Sequence, residues 1–303
     1  MKPRNCLFHV RFPSPVHNQR QTMPALIPDS DFEIAYLGPE GSFSHTVAQK
    51  RYPNAPLVPF RTVPEVFQYL EEHKQSKGIV PIENSSGGLI VQTVDGIIEH
   101  SCSLLIEEEL SIDVKLALMA KRGGEITKIY SHFAPLYHCE SFLKTRYPNA
   151  KAIPCESTSA AAQAAAREVG AAAIGSIVNA EMCGLEVLVY PIEEDIPNVT
   201  QFFVVGRTRQ EPSKSSKTSL VVALPNRPGA LFDFLRPFAD SKVNLTRIES
   251  RPIYGKPNTY RFLIEVAGTD IDEAVREACA GAKLVATQFH DVGSYPVTTR
   301  YQS

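Results

Sequence analysis

The residues of this chain best suited to chemistry gather where apolar runs begin or end. In "PNVTQFFVV" (197–205), Asn198, Thr200 and Gln201 stand at the mouth of a strand-like run. Turn chemistry at Pro197 and Asn198 explains part of such a junction. A strand end that holds the Thr200 hydroxyl up to a ligand is the sharper reading. The placement recurs: "PIENSSGGLI" (81–90) sets Glu83, Asn84, Ser85 and Ser86 directly after a strand, "SHF" brings Ser131 and His132, and "STSA" brings Thr158 and Ser159. In "YLGPEGSFSH" (36–45), Gly38, Gly41 and Ser42 lie between a strand and a helix, where backbone N–H groups welcome an anion. That stretch lacks the Gly-x-Gly-x-x-Gly spacing of a dinucleotide site. Each stretch alone reads as a turn or a cap. Together they suggest a cleft of neutral hydrogen-bond donors suited to a small polyanion, since open α/β sheets bind ligands beyond the carboxyl ends of their strands.

The elements that must position these groups alternate. "EIAYLG", "GIVPIEN", "KIYSH", "AKAIPC", "AAAIGS" and "EVLVYPI" read as strands. "SHTVAQKRY", "TVDGIIEHS", "PLYHCESFLKTRY", "STSAAAQAAAREVG" and "IVNAEMCGL" read as helices, the fourth with a cap at Ser157, Thr158 or Ser159 and a stop at Gly170. Strands alternating with helices predict an α/β domain with mainly parallel pairing. "RQEPSKSSK" (209–217) carries no apolar residue and reads as a linker. Beyond it, "TSLVVAL", "GALFDFLRPFADS", "VNLTRIESRP", "TYRFLIEVAG", "DIDEAVREACAG" and "KLVATQFHDVG" give βαββαβ, the ferredoxin-like arrangement. The predicted division is an extension over 1–32, a first domain over 33–208, a linker over 209–217 and a second domain over 218–297.

With 303 residues the chain has room for two cores. A formal net charge of -2 argues against a nucleic-acid surface, and no apolar run approaches the ~20 residues that span a bilayer. Six scattered cysteines, with no Cys-x-x-Cys, suggest reduced thiols in a cytoplasmic protein and neither a disulfide framework nor a zinc site. Residues 1–28 carry Lys2, Arg4, Arg11 and Arg20 without an acid, and Pro13 and Pro15 spoil an amphipathic helix there. A disordered extension, or a true start at Met23, is the expectation over a targeting peptide. Some thirty residues ahead of the first strand are too few for a further domain, and none is expected there.

In their order along the chain, "YLGPEGSFSH", "PIENSSGG", the later "SH" and "ST", "AAAIGS" with "GLEVL", and Asn-x-Thr-x-Phe resemble the prephenate dehydratases. "PNRPGAL", "NLTRIESRP" and "GSYP" resemble the phenylalanine-binding ACT domain that follows in that family. The likeness runs from about residue 34 to 296. It implies two α/β lobes similar to a periplasmic binding protein, with the active site between them and the Thr200 strand crossing back to the first lobe. It implies conversion of prephenate to phenylpyruvate, CO2 and water, with aromatisation as the driving force and no metal or redox cofactor. Thr200 becomes the hydroxyl that assists the leaving group. Ser42, Asn84, Ser85, Ser131, Thr158 and Ser159 become binding donors, oriented in part by Glu83, with His132, Asn198, Gln201 and Phe202 beside them. Asn226, Pro228, Gly229, Ala230 and Leu231, together with Glu249, Ser250, Arg251 and Pro252, become the site for L-phenylalanine between subunits of a homodimer or homotetramer.

Two departures stand out. The family has Thr-Arg-Phe where this chain has Thr200-Gln201-Phe202, and Phe133, Ala134 and His138 alter the usual Ser-His-Pro-Gln-Ala-Leu-x-Gln-Cys. If Gln201 faces the cleft through a bend at Pro197 and Asn198, the lost charge weakens binding by roughly the ~1.5–3 kcal/mol of a charged hydrogen bond. Arg207, Lys50 or His132 would be the compensating cations. The neighbouring readings are an arogenate dehydratase and a catalytically weak paralogue that senses phenylalanine.

Overall fold

The computed structural model describes residues 32–192, 197–211, 216–253, 255 and 259–303. The expected extension lies outside the described residues except for Phe32, as does the middle of the expected linker. The first lobe runs β1 (Ile34–Leu37), α1 (Phe43–Arg51), β2 (Leu57–Phe60), α2 (Val63–Glu72), β3 (Lys77–Asn84), β4 (Gly88–Leu89), α3 (Val91–Glu99) and β5 (Leu105–Asp113). Its helices start where the sequence offers caps: Ser42 accepts from the His45 N–H, and Thr62 and Glu65 form a reciprocal capping box ahead of Pro64.

The chain then crosses into a second sheet. This lobe holds β6 (Ala117–Ala120), β7 (Lys128–Ser131), α4 (Phe133–His138), α5 (Glu140–Arg146), β8 (Lys151–Pro154), α6 (Thr158–Ala165), β9 (Ala171–Gly175), α7 (Val178–Cys183) and β10 (Glu186–Val189). Its strand order is β10-β6-β9-β7-β8. Small residues let α6 sit tightly on β9: a Cβ added at Gly175 would stand 2.8 Å from the Thr158 Cβ. The long helix expected over 135–147 is two helices that meet at Cys139, and α6 ends before Gly170. After a return crossing, β11 (Val199–Gly206) re-enters the first sheet antiparallel between β3 and β5.

The small domain is β12 (Ser216–Ala223), α8 (Ala230–Asp240), β13 (Leu245–Pro252), β14 (Tyr260–Ala267), α9 (Glu273–Val285) and β15 (Gln288–Gln302). Its order, β13-β14-β12-β15, is the ferredoxin-like one. Lys283–Val285, expected in the last strand, close α9 instead, and β15 runs past 297 to pair parallel with β5 (Val297 with Glu109, Gln302 with Asp113). The first lobe and the small domain therefore share one ten-stranded sheet. One face of its first-lobe part packs Tyr36, Leu110 and Phe202 toward the second lobe. The other packs Ile82, Phe203 and Tyr295 with α2 and α3.

At the join, β5 carries three consecutive buried glutamates. Glu107 pairs with Lys77 at 2.6 Å, Glu108 with Arg51 at 2.8 Å, and Glu109 with Lys217 of the small domain at 2.8 Å. Lys217 also holds Glu265 at 3.0 Å.

Candidate active site

Between the lobes lies a cavity of about 300 Å³, reached by the ends of β1, β3, β7 and β8 and by the return crossing. Ser42, Asn84, Asn198 and Thr200 line it from the first lobe and its crossing, and His132, His138, Glu156 and Thr158 from the second. Three helices begin at its wall. Ser42 caps α1, His132 precedes α4, and Ser157 caps α6 by accepting from the Ala160 N–H at 3.0 Å. Helix N-termini favour negative charge. Among the described residues lining the cavity none is a lysine or arginine. Burial holds the His132 imidazole below its usual range, which favours its neutral form near neutrality.

The best-defined feature is a cross-strand pair. Asn84 and Thr200 are register partners on β3 and β11, and the Asn84 Nδ2 donates to Thr200 Oγ1 and to Asn198 Oδ1, both at 2.9 Å. The amide's direction is fixed from behind. Asn84 Oδ1 accepts from the Ser86 N–H at 3.0 Å, the Gly87 N–H at 2.8 Å and the Ser86 hydroxyl at 2.5 Å. Asn84 takes one of the two acceptor lone pairs of the Thr200 hydroxyl and leaves its proton available to a partner in the cleft.

Several residues expected in the cleft do other work. Ser131 is fully buried and donates to the Ile174 carbonyl at 2.7 Å. Ser159 is buried on α6 and is not on the cavity wall, and Phe202 belongs to the core between the lobes. Ser85 ties the strand ends together, donating to the Pro197 carbonyl at 2.8 Å and accepting from the Val199 N–H at 2.9 Å. Glu83 and Gln201 point to the opposite face of the sheet, toward the small domain. There Arg247 donates to Glu83 Oε2 at 2.6 Å and to Gln201 Oε1 at 3.1 Å. The expected bend does not turn Gln201 inward: against β5 the register of β11 is unbroken from Val199 to Val204, so Thr200 and Gln201 take opposite faces.

Nor do the proposed substitute cations reach the cleft, apart from His132. Arg207 is bound to the Leu70 carbonyl and Glu71, and Lys50 is exposed on α1. Sequence reading missed Phe43, Val114, Glu156 and Ser157 on the cavity wall. Of these, only Ser157 carried a signal, as a helix cap ahead of the alanine run.

In the small domain, β13 and the β12–α8 turn meet at one end of the sheet. Ala223 pairs with Arg261, which pairs with Arg251. Gly229 opens α8 with φ 80°, a left-handed conformation, while Asn226 and Pro228 are exposed. Arg251 grips Asp95 of α3 with both ends of its guanidinium, at 2.6 and 2.9 Å.

The comparisons with known proteins agree with this geometry. The prephenate dehydratase family model matches residues 34–210, and the ACT domain model matches 218–278. The bifunctional chorismate mutase/prephenate dehydratase of Stutzerimonas stutzeri is 34% identical over 270 residues, covering 88% of this chain and 74% of that protein. The prephenate dehydratase of Lactococcus lactis subsp. lactis is 33% identical over 245 residues, covering 78% of this chain and 88% of that one. A crystal structure of the prephenate dehydratase from Arthrobacter aurescens in complex with L-Phe superposes with a TM-score of 0.78 at 33% identity, covering 87% of this chain and 90% of that chain. This chain belongs to the prephenate dehydratase family.

Proposed function

We propose that the interlobe cleft converts prephenate to phenylpyruvate, with L-phenylalanine acting through the small domain. The observation that carries this reading is the Asn84–Thr200 hydrogen bond at the cleft wall, which leaves the hydroxyl proton available to a ligand in a cavity bordered by three helix N-termini. The ring C–carboxylate bond breaks and its electron pair enters the ring. The ring C–OH bond breaks at the opposite position, and the departing oxygen takes up a proton to leave as water. Thr200 supports the departing oxygen, and partial exclusion of water favours loss of the carboxylate as CO2. The substrate's charge is met by helix N-termini, the donors Ser42, Asn198 and Thr158, and the two cleft histidines. Reduced thiols fit a cytoplasmic setting, and the exposed β13 edge fits assembly into a homodimer or larger form.

Purified protein mixed with prephenate should yield phenylpyruvate, read by its absorbance in base. Arogenate in a parallel reaction measures preference, and turnover of arogenate alone would replace the assignment. Without turnover of either, the protein is a phenylalanine sensor. L-Phenylalanine should lower the rate and give a calorimetric binding signal, and a silent calorimeter would remove the regulatory half.

The position of Gln201 gives a sharp expectation. Glu83, Glu109 and Glu265 face two cations, Lys217 and Arg247, across the interdomain seam. Gln201→Arg supplies the missing positive charge there and none to the substrate. It should leave KM for prephenate within about twofold, while the charge gained beside Glu109 and the acceptor lost to Arg247 offset each other to within about 1 kcal/mol of stability. A tenfold fall in KM would return Gln201 to the cleft.

A further inference from the structure

Arg247 comes from the small domain, yet its guanidinium ends on the first lobe, behind the strand pair that carries Asn84 and Thr200. It sits on β13 with only 6% of its side chain exposed, on the sheet face that also carries Glu249 and Arg251. Its partner across β14 is Glu265, 3.9 Å from Nε. Its two terminal nitrogens reach out of the domain, one to Glu83 and the other to Gln201.

Glu83 and Gln201 are themselves register partners on β3 and β11, the pair adjoining Asn84 and Thr200. The sheet thus carries two neighbouring cross-strand pairs that face opposite ways. On the cleft side, Asn84 donates to Thr200. On the back, a single planar fork spans the two strands. A guanidinium has fixed donor geometry, so it sets the separation of the groups it joins. This is also where β11 shifts register against β3, between Gln201 and Phe202. A strand pair that has just changed register depends on other contacts to hold its spacing.

We propose that Arg247 is a positioning residue for the dehydration, acting through Glu83 and Gln201 on the Asn84–Thr200 hydrogen bond. The inference rests on the assignment of prephenate turnover to this cleft. It gives the small domain a direct mechanical hold on the hydroxyl: a movement of β13 alters the spacing of β3 and β11 before anything in the cleft is touched. Arg251, four residues along the same face, anchors that strand to α3 through Asp95.

The test uses the full chain with Arg247→Met, Arg247→Lys, Glu83→Gln and the Arg247→Met/Glu83→Gln double variant. Arg247→Met should lower kcat by about tenfold to a hundredfold with KM within about threefold, as misplacement of a reacting group does. Glu83→Gln should act in the same direction, and the double variant should lose no more than the worse single one. Arg247→Lys, able to reach one partner at a time, should recover part of kcat. Hydrogen exchange supplies a readout that needs no substrate. The Ser85 and Val199 amides, which pair the same strand ends, should exchange faster in Arg247→Met while the β1–β3 pairing keeps its protection.

Retained kcat in Arg247→Met, losses that multiply in the double variant, or unchanged exchange at Ser85 and Val199 would each overturn the proposal. Should Arg247→Met fail to fold, Glu83→Gln decides alone, because Glu83 is 42% exposed and its amide is isosteric. A wild-type protein that leaves prephenate untouched sinks the functional assignment and the catalytic role with it, and the exchange measurement still decides whether Arg247 holds the β3–β11 strand pair.

Discussion

Thr200→Val lowers kcat for prephenate by about 10²- to 10⁴-fold, the range expected when a positioned proton donor is removed from the transition state. KM moves much less, because the hydroxyl meets the departing oxygen most strongly as the C–O bond breaks. Valine keeps the volume and branching of threonine, so the strand and the core behind it are preserved. The Asn84 amide loses one acceptor and keeps Asn198, a stability cost of about 1 kcal/mol. Thr200→Ser retains the hydroxyl and should recover most of the rate. Steady-state assays beside thermal melts give the answer. An unchanged kcat in a folded Thr200→Val protein returns residues 198–200 to turn chemistry and removes the proton donor from the scheme.

Lys217→Met should produce the largest loss of stability. The ammonium lies between Glu109 and Glu265, both almost fully buried, and removing it leaves two carboxylates facing one another at the interdomain seam. Breaking a buried ion pair from one side costs about 3–5 kcal/mol, which lowers the melting midpoint on the order of 10 °C. Burial works against the Lys217 charge, yet Glu265 and Glu109 hold its ammonium above the usual range. Burial, and then Glu265, push the Glu109 carboxyl up.

The sign of the pH effect follows from that direction. A carboxyl whose pKa is raised by folding favours the folded state while protonated, and that stability fades as pH rises through the folded value. Without Lys217 the rise is larger. The deficit of the variant against wild type should therefore be greatest at neutral pH and shrink as the buffer is acidified toward the ordinary carboxylate range. Melts that show a deficit independent of pH would mean that Lys217 acts by packing alone.

These two sites mark where sequence reading succeeded and where it stopped. The place of Thr200 at a strand end on the cleft was legible from the hydroxyls and amides that recur there, while its role came only from the likeness to a family. The alternation of strands and helices was legible for the same local reason, since each element announces its own period and caps. The three glutamates on β5 defeated that logic. "LLIEEELSID" yields no element from sequence alone, because three adjacent charges hide its strand period; it forms a central strand because Lys77, Arg51 and Lys217 arrive from distant parts of the chain. Gln201 and Glu83 failed differently. Their alternation with Thr200 and Asn84 was in the sequence, but which face of the sheet met solvent and which met another domain was not. Ser131 and Ser85 show the same limit: a hydroxyl near a strand end offers no sign of whether a backbone carbonyl has already claimed it.

The place of β15 has a consequence for how the chain is made. Until residues 297–302 emerge from the ribosome, β5 has β11 on one side and a bare row of backbone donors and acceptors on the other. Such an edge recruits strands from neighbouring nascent chains. Glu107 and Glu108 find Lys77 and Arg51 earlier in the chain, which leaves Glu109 as the unpaired carboxylate on that edge, and an identical strand laid beside it would bring like charges together. Glu109, which looks extravagant in the finished core, would thus protect the half-made molecule, repelling its siblings until Lys217 and the closing strand arrive.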